Sequence, residues 1–192
     1  MVLALVQVIS LSYPNTPCEG NPIKNPEIAP QTFSKIKGAR FGADARKQWN
    51  TDRTGLIDQP HYGLDTKNNF GGAVFPMFDG IIVETGNDGV GWSKWIRVKS
   101  IVNGKTIIVL DAHLDSYAGI SDTVEAGSII GAAGESGNLA SAIESGTALQ
   151  HLHIEVREDT NWQTAIKKKP EEYVKTKFDS EGKVIESTKC LR

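Results

Sequence analysis

From Arg40 to Glu158 short apolar runs alternate with glycine-bearing turns: "GGAVFPMFDGIIVETG", "KWIRVKSIVNGKTIIVLDAHL", "VEAGSIIGAAGESGN" and "HLHIEVRE". Runs of this kind, rich in Val, Ile and Thr and bounded by Gly, Asn and Asp, predict strands, and their rhythm predicts a mainly β, antiparallel sheet. The second run gives the sharpest local expectation. Asn103-Gly104 supplies the two positive-φ positions of a type I′ turn, so "WIRVKSIV" and "KTIIVLDAHL" should form a hairpin. Upstream, "YPNTPCEGNPIKNPEIAP" carries too many prolines for a long regular element and should wrap as an extended strap. The apolar opening, Val2 to Ser12, predicts a strand. After Asp159 the pattern turns charged and helical, with Pro170-Glu171-Glu172 suiting a helical first turn, and "FDSEGKVIES" suggests a last hairpin-like turn.

Composition narrows this picture. A chain of 192 residues suits one domain with appendages, and 19 glycines fit a turn-rich β protein. The formal charge is -2 with both signs interspersed, and the basic run Lys167-Lys168-Lys169 has no interleaved aromatics, so it reads as a solvated face and not a nucleic-acid groove. No stretch reaches the roughly 18 apolar residues of a membrane span. "MVLALVQVIS" invites comparison with a signal peptide, but no Lys or Arg precedes the apolar run and no small-x-small site follows it. A bridge between Cys18 and Cys190 would tie the two ends of the chain and need an oxidising compartment; two unrelated thiols are the alternative.

All four histidines, His61, His113, His151 and His153, fall in the β-rich middle. In "HLH" the period of two sends His151 and His153 to one face while Leu152 points the other way. In "HYGLD" the carboxylate of Asp65 returns to roughly the face of His61 in either an extended or a helical piece. His113 ends the second strand of the expected hairpin, within reach of the same face if the strands are neighbours. Neutral imidazole and carboxylate are good zinc ligands, and a catalytic zinc takes three of them and keeps a fourth position open. Four histidines plus Asp65 exceed three ligands by two, which leaves a pair for acid–base work in a hydrolysis. A structural zinc site is the alternative, although such sites favour cysteine and four ligands. No HExxH helix is present.

These residues resemble the M23 zinc metallopeptidases, the lysostaphin- and LytM-like cell-wall endopeptidases. Their pattern of H-x-G-x-D, a Gly-rich hairpin, a short H-L, spaced glycines and H-L-H-[FI]-E is matched by "HYGLD" at 61–65, "GAVFPMFDGIIV" at 72–83, "AHL" at 112–114, "VEAGSIIGAAGESGN" at 124–138 and "HLHIE" at 151–155. "GARFG" at 38–42 looks like the arginine-bearing lead-in, which makes Arg40 a groove or supporting candidate. The resemblance implies an M23-like peptidase domain over 38–158, preceded by a strand and strap (1–37) and followed by a mixed extension (159–192). It implies one zinc per chain held by His61, Asp65 and His153, with His113 and His151 orienting or deprotonating the attacking water and stabilising developing charge. Glu155, on the His153 face, is expected to support that ligand.

Two departures stand out. Asp111 occupies a position where many members carry an aromatic credited with substrate contact, so it is expected to border the groove. Thirteen residues, "NLASAIESGTALQ", lie between Gly137 and His151 where the family has a few small ones, and this loop is expected to shape substrate choice. The implied substrate is peptidoglycan peptide, cut in the periplasm or on an extracellular wall. A non-catalytic wall-binding or amidase-activating module on the same fold is the alternative, against which all five His/Asp positions are filled. A bacteriolytic toxin or phage-borne lysin is a further reading of the same chemistry. It would add an immunity protein as a partner and a dedicated secretion or phage route for delivery.

Overall fold

The computed structural model describes residues 19–30, 38–42, 46–49, 56–119 and 121–186. The expected strand Val2–Ser12 and both cysteines, Cys18 and Cys190, lie outside the described residues. Strands β1 (Arg46–Trp49) and β2 (Leu56–Gln59) pair with each other. They are followed by β3 (Leu64–Lys67), β4 (Ala73–Val74), β5 (Gly80–Asn87), β6 (Lys94–Val102), β7 (Lys105–Ala112), β8 (Leu114–Tyr117), β9 (Thr123–Val124) and β10 (Gly131–Ala133). Helix α1 (Asn138–Glu144) then precedes β11 (His151–Glu158), β12 (Ile166–Lys168), β13 (Lys177–Phe178) and β14 (Val184–Glu186). The pairing is antiparallel throughout, as the sequence pattern predicts. The predicted hairpin is β6–β7, turning at Asn103 (φ 51°) and Gly104 (φ 76°).

Among the described residues the principal sheet has seven strands, running β12-β11-β7-β6-β5-β9, with β3 also on β11. Within it β11 faces β7 along one side and shares the other between β3 at its start and β12 at its end. Alternation along these strands builds two different faces. One face carries Ile96, Val98, Ile107, Val109, Leu152, Ile154 and Val156 into the main apolar core, where Val74 and Leu114 from the smaller β4-β10-β8 sheet, and Ile130 just before β10, join them. Each such fully buried aliphatic side chain contributes about 1.5–3 kcal/mol. The other face carries Trp95, Ile108, Leu110 and Ala112 with Trp162 packed over them. The register sets His153 beside Ala112 and Glu155 beside Leu110, so the polar residues of β11 lie on this second face.

The N-terminal strap adds an edge to β3. Ala29 N–H donates to Asp65 O at 2.9 Å and Lys67 N–H to Glu27 O at 2.8 Å, around an isolated bridge between Ile28 and Thr66, with Ile23 and Ile28 buried beneath. The C-terminal segment departs from the helical expectation. Only Pro170–Glu172 turns helically, as one 3-10 turn, while Ile166–Lys168 completes the β11 edge and β13–β14 form the expected hairpin. An open sheet edge outweighs a charged, helix-like pattern here, because the backbone of Val156, Arg157 and Glu158 gains a partner strand on its second side. Lys167 and Lys168 of the basic run lie on that edge strand, with Lys168 paired to Glu158 at 2.9 Å. Among the described residues no helix is long and apolar enough to cross a membrane.

Candidate active site

Cross-strand register makes the centre of the site. His153 on β11 lies directly opposite Asp65 on β3, and His61 stands just before β3. His153 Nδ1 lies 2.9 Å from Asp65 Oδ1, His61 Nε2 lies 3.2 Å from the same oxygen, and the two imidazole nitrogens are 3.2 Å apart. All three side chains are buried. Gly63 permits this approach, since a Cβ there would meet His153 Cε1 at 2.4 Å and Ile154 O at 2.6 Å. The three donors belong to residue types that ligate zinc, and a tetrahedral site with bonds of about 2.0–2.1 Å has ligand-to-ligand edges of roughly 3.3 Å. Edges of 2.9–3.2 Å fit that requirement with little movement.

The remaining two histidines border the trio. The His113 ring centroid is 5.5 Å from that of His151 and 6.0 Å from that of His153, and His151 Nε2 is 3.6 Å from Asp65 Oδ1. Strict alternation after Ala112 would turn His113 into the apolar core. Its left-handed backbone (φ 63°) instead brings the ring to the polar face, held there by His113 N–H donating to Trp92 O and by Gly134 N–H donating to His113 O. Such a conformation costs a non-glycine residue on the order of 1 kcal/mol, and here it aims the ring at the other histidines.

Backbone carbonyls fix which nitrogen of each ring carries the proton. A carbonyl only accepts, so His61 Nδ1 donates to Arg40 O (3.1 Å), His113 Nδ1 to Ser136 O (3.0 Å) and His151 Nδ1 to Leu149 O (2.7 Å). Each neutral ring then keeps Nε2 as a lone pair. His153 has the opposite sense, with Nε2 facing Glu155 Oε1 at 3.4 Å and Nδ1 facing the trio. Burial, reinforced by the charges of His151 and His153, holds His113 well below the usual histidine range, so it is neutral at pH 7. Burial alone would lower His153 as well, but hydrogen bonds to Asp65 and Glu155 overcome it and push the metal-free ring up to about 9.

Behind His153 runs a chain of contacts that the sequence reading did not extend past Glu155. Arg157 Nη2 donates to Glu155 Oε2 at 2.8 Å and Nη1 to Trp162 O at 2.8 Å, while its guanidinium lies 3.7 Å from the Trp162 ring. Burial works against ionising Glu155, yet its bonds with His153 and Arg157 hold it below the ordinary glutamate range. The signal was available: His151, His153, Glu155 and Arg157 all follow the period of two. A cavity of about 280 Å³ opens over this face, lined by the His61, His113 and His153 rings together with Tyr62, Trp92 and Arg157.

One groove expectation needs correction, and for Arg40 the structure shows the supporting contact and not a groove one. Asp111 pairs with Ile96 and Ile154, so it points into the apolar core on the far face and does not border the groove. It is fully buried with neither carboxylate oxygen hydrogen-bonded among the described residues, and burial raises it to about 8. Arg40 serves through its carbonyl on His61; its guanidinium turns away to Asp179 O and lies 3.6 Å from Glu171.

A zinc-containing peptidase from Vibrio cholerae has 17% identity and a TM-score of 0.51, over 80% of this chain and 39% of that one. The catalytic domain of lysostaphin from Staphylococcus simulans has 27% identity and a TM-score of 0.46, over 68% and 86%. The catalytic domain of the prophage-encoded M23 protein EnpA from Enterococcus faecalis has 19% identity and a TM-score of 0.47, over 67% and 89%. No curated protein sequence matches the chain. The sequence profile of peptidase family M23 matches residues 59–165, which span every histidine and acid gathered at the site, and the chain belongs to that family.

Proposed function

We propose that the chain is a zinc-dependent endopeptidase that hydrolyses peptide crosslinks or stem peptides of bacterial peptidoglycan outside the cytoplasm. His61, Asp65 and His153 hold the metal, and His113 and His151 handle protons. The observation that carries this reading is the meeting of three buried donor atoms, all within 4.8 Å of one another, beside two further histidines. Bound zinc would supply Lewis-acid polarisation of the scissile carbonyl and lower the pKa of its water to about 7. The chain's own residues do the rest. His151 and His113, each with Nδ1–H tied to a carbonyl, present Nε2 as a base for the attacking water. Once protonated, the same nitrogen becomes a donor that stabilises the developing oxyanion or passes its proton to the leaving amine. Glu155 accepts from His153 Nε2 and so keeps Nδ1 facing the trio. A wall-binding module without catalysis would need none of these five groups in register.

Metal analysis and digestion of purified peptidoglycan test the reading together, with His113→Ala and His153→Ala as controls. The wild type is expected to carry one zinc and release new peptide ends, His113→Ala to keep zinc without releasing ends, and His153→Ala to lose both. A zinc-free wild type, or one that binds sacculi and frees no ends, refutes it.

A further inference from the structure

Along β11 the polar face forms a row: His151 in register with Lys67, His153 with Asp65, then Glu155, then Arg157 with Lys167. The cavity described above takes in the His153–Arg157 part of this row. A second and larger one, about 490 Å³, opens at the His151 end, walled by the strap (Lys24, Asn25, Glu27), by Lys67–Asn69 and by Leu149–Gln150. A peptide centred on the trio and extending past His151, away from Arg157, would enter this space.

The lining has the chemistry of an acceptor-binding site. Asn68 and Gln150 line the cavity, and their side-chain amide nitrogens are tucked away from solvent with no hydrogen-bond partner among the described residues, so a turn of either side chain toward the cavity gains a bond to an incoming carbonyl or carboxylate oxygen. Lys67 Nζ pairs with Glu27 at 2.7 Å, but their side chains are 48% and 54% exposed, and such a pair is weak and readily exchanged. A substrate carboxylate can therefore replace Glu27 as the partner of Lys67 with a charge-assisted bond of its own. The wall contributed by the strap lies outside the stretch that matches the family profile.

We propose that this cavity is the second half of the substrate groove, and that Lys67, with the amides of Asn68 and Gln150, selects a residue bearing a free carboxylate on the His151 side of the scissile bond. The proposal rests on the endopeptidase reading and specifies its substrate. It gives the long loop before His151 a double role, since Asn138 lines the first cavity and Leu149 and Gln150 the second.

The probes are synthetic cross-linked stem peptides in which each carboxylate in turn is free or amidated. Cleavage is measured as kcat/KM for the wild type, Lys67→Met, Gln150→Ala and, at the opposite end of the row, Lys167→Met. Binding of the same peptides to zinc-loaded His113→Ala, with and without these substitutions, is measured by calorimetry. For one carboxylate the wild type should prefer the free form by about tenfold, seen in KM and in Kd. Lys67→Met should cut that ratio to below threefold, Gln150→Ala should weaken binding of the same peptide, and Lys167→Met should keep the ratio. A ratio unmoved by Lys67→Met for every carboxylate, or lowered equally by Lys167→Met, overturns the subsite. Cleavage with a flat ratio rejects the subsite alone. Binding that keeps the Lys67-dependent ratio without any cleavage rejects the endopeptidase reading alone.

Discussion

Replacing Asp111 with asparagine should flatten the dependence of stability on pH. In the folded protein Asp111 sits among Ile96 and Ile154 with both oxygens unpartnered among the described residues, and burial raises it to about 8. In the unfolded chain it ionises near 3.9. Between those values the native state holds a proton that the unfolded state has lost, so stability falls as pH rises, by about 1.4 kcal/mol for each pH unit. From pH 5.5 to 7.5 this group alone removes about 3 kcal/mol from the wild type. Asparagine has nearly the same shape and does not ionise, so the variant lacks this loss and is the more stable protein at pH 7.5. Urea unfolding of zinc-saturated protein, followed by the fluorescence of its four tryptophans, measures both proteins across that range. Zinc saturation keeps the histidine trio in one state, so the difference between the two curves isolates position 111. A difference that stays constant with pH, or that grows in favour of the wild type, refutes the reasoning.

Other expectations follow from the same geometry. Zinc affinity should fall as pH falls below about 9, approaching tenfold per unit, because metal binding must displace the proton that Asp65 and Glu155 hold on His153; competition with a zinc chelator between pH 6.5 and 8.5 would show a flat profile if this is wrong. Glu155→Gln should weaken zinc binding by about 10–100-fold without unfolding the protein, measured by the same competition and by melting temperature. His113→Ala and His113→Gly should both lower kcat by about 10²–10⁴-fold, since neither has an imidazole. His113→Gly should nevertheless be the more stable of the two by about 1 kcal/mol in urea unfolding, because glycine accepts the left-handed backbone that alanine resists.

How far the site could be seen in the sequence depended on whether a residue obeys strand periodicity. His151 and His153 share a face because β11 is a regular strand, and Asn103-Gly104 announced the hairpin because its turn type needs those residues. The same period would have carried the row on to Arg157. Its place at the end of a hairpin strand brings His113 within reach of that face if the strands are neighbours, but only the family resemblance gives it a role, since the backbone reversal that aims it at the site carries no glycine to mark it. Asp111 was misplaced for a related reason. Its face is set by the partnership of Ala112 with His153, a register between strands far apart in the chain. The charged segment after Asp159 suggested a helix because local pattern does not reveal an open sheet edge waiting on β11.

The motif residues also do not specify their own protonation. Three of the four rings take their tautomer from carbonyls of Arg40, Ser136 and Leu149, none of which lies in a strand, and at those three positions any residue offers the same carbonyl. What must be preserved is the path of the backbone. Around His61 that path is held by Gly42 N–H donating to His61 O at 2.7 Å, so the lead-in at 38–42 both fixes the ring and anchors its main chain. Near His113 a tight approach does the same: a Cβ on Gly137 (φ 69°) would meet Gly91 O at 2.4 Å, which keeps the turn after Ser136 close to the loop before β6. The donor set is thus encoded twice, in side chains that a motif displays and in loop conformations that it does not. An M23 motif grafted onto strands without these loops would gather the same residues with their nitrogens free to point the wrong way.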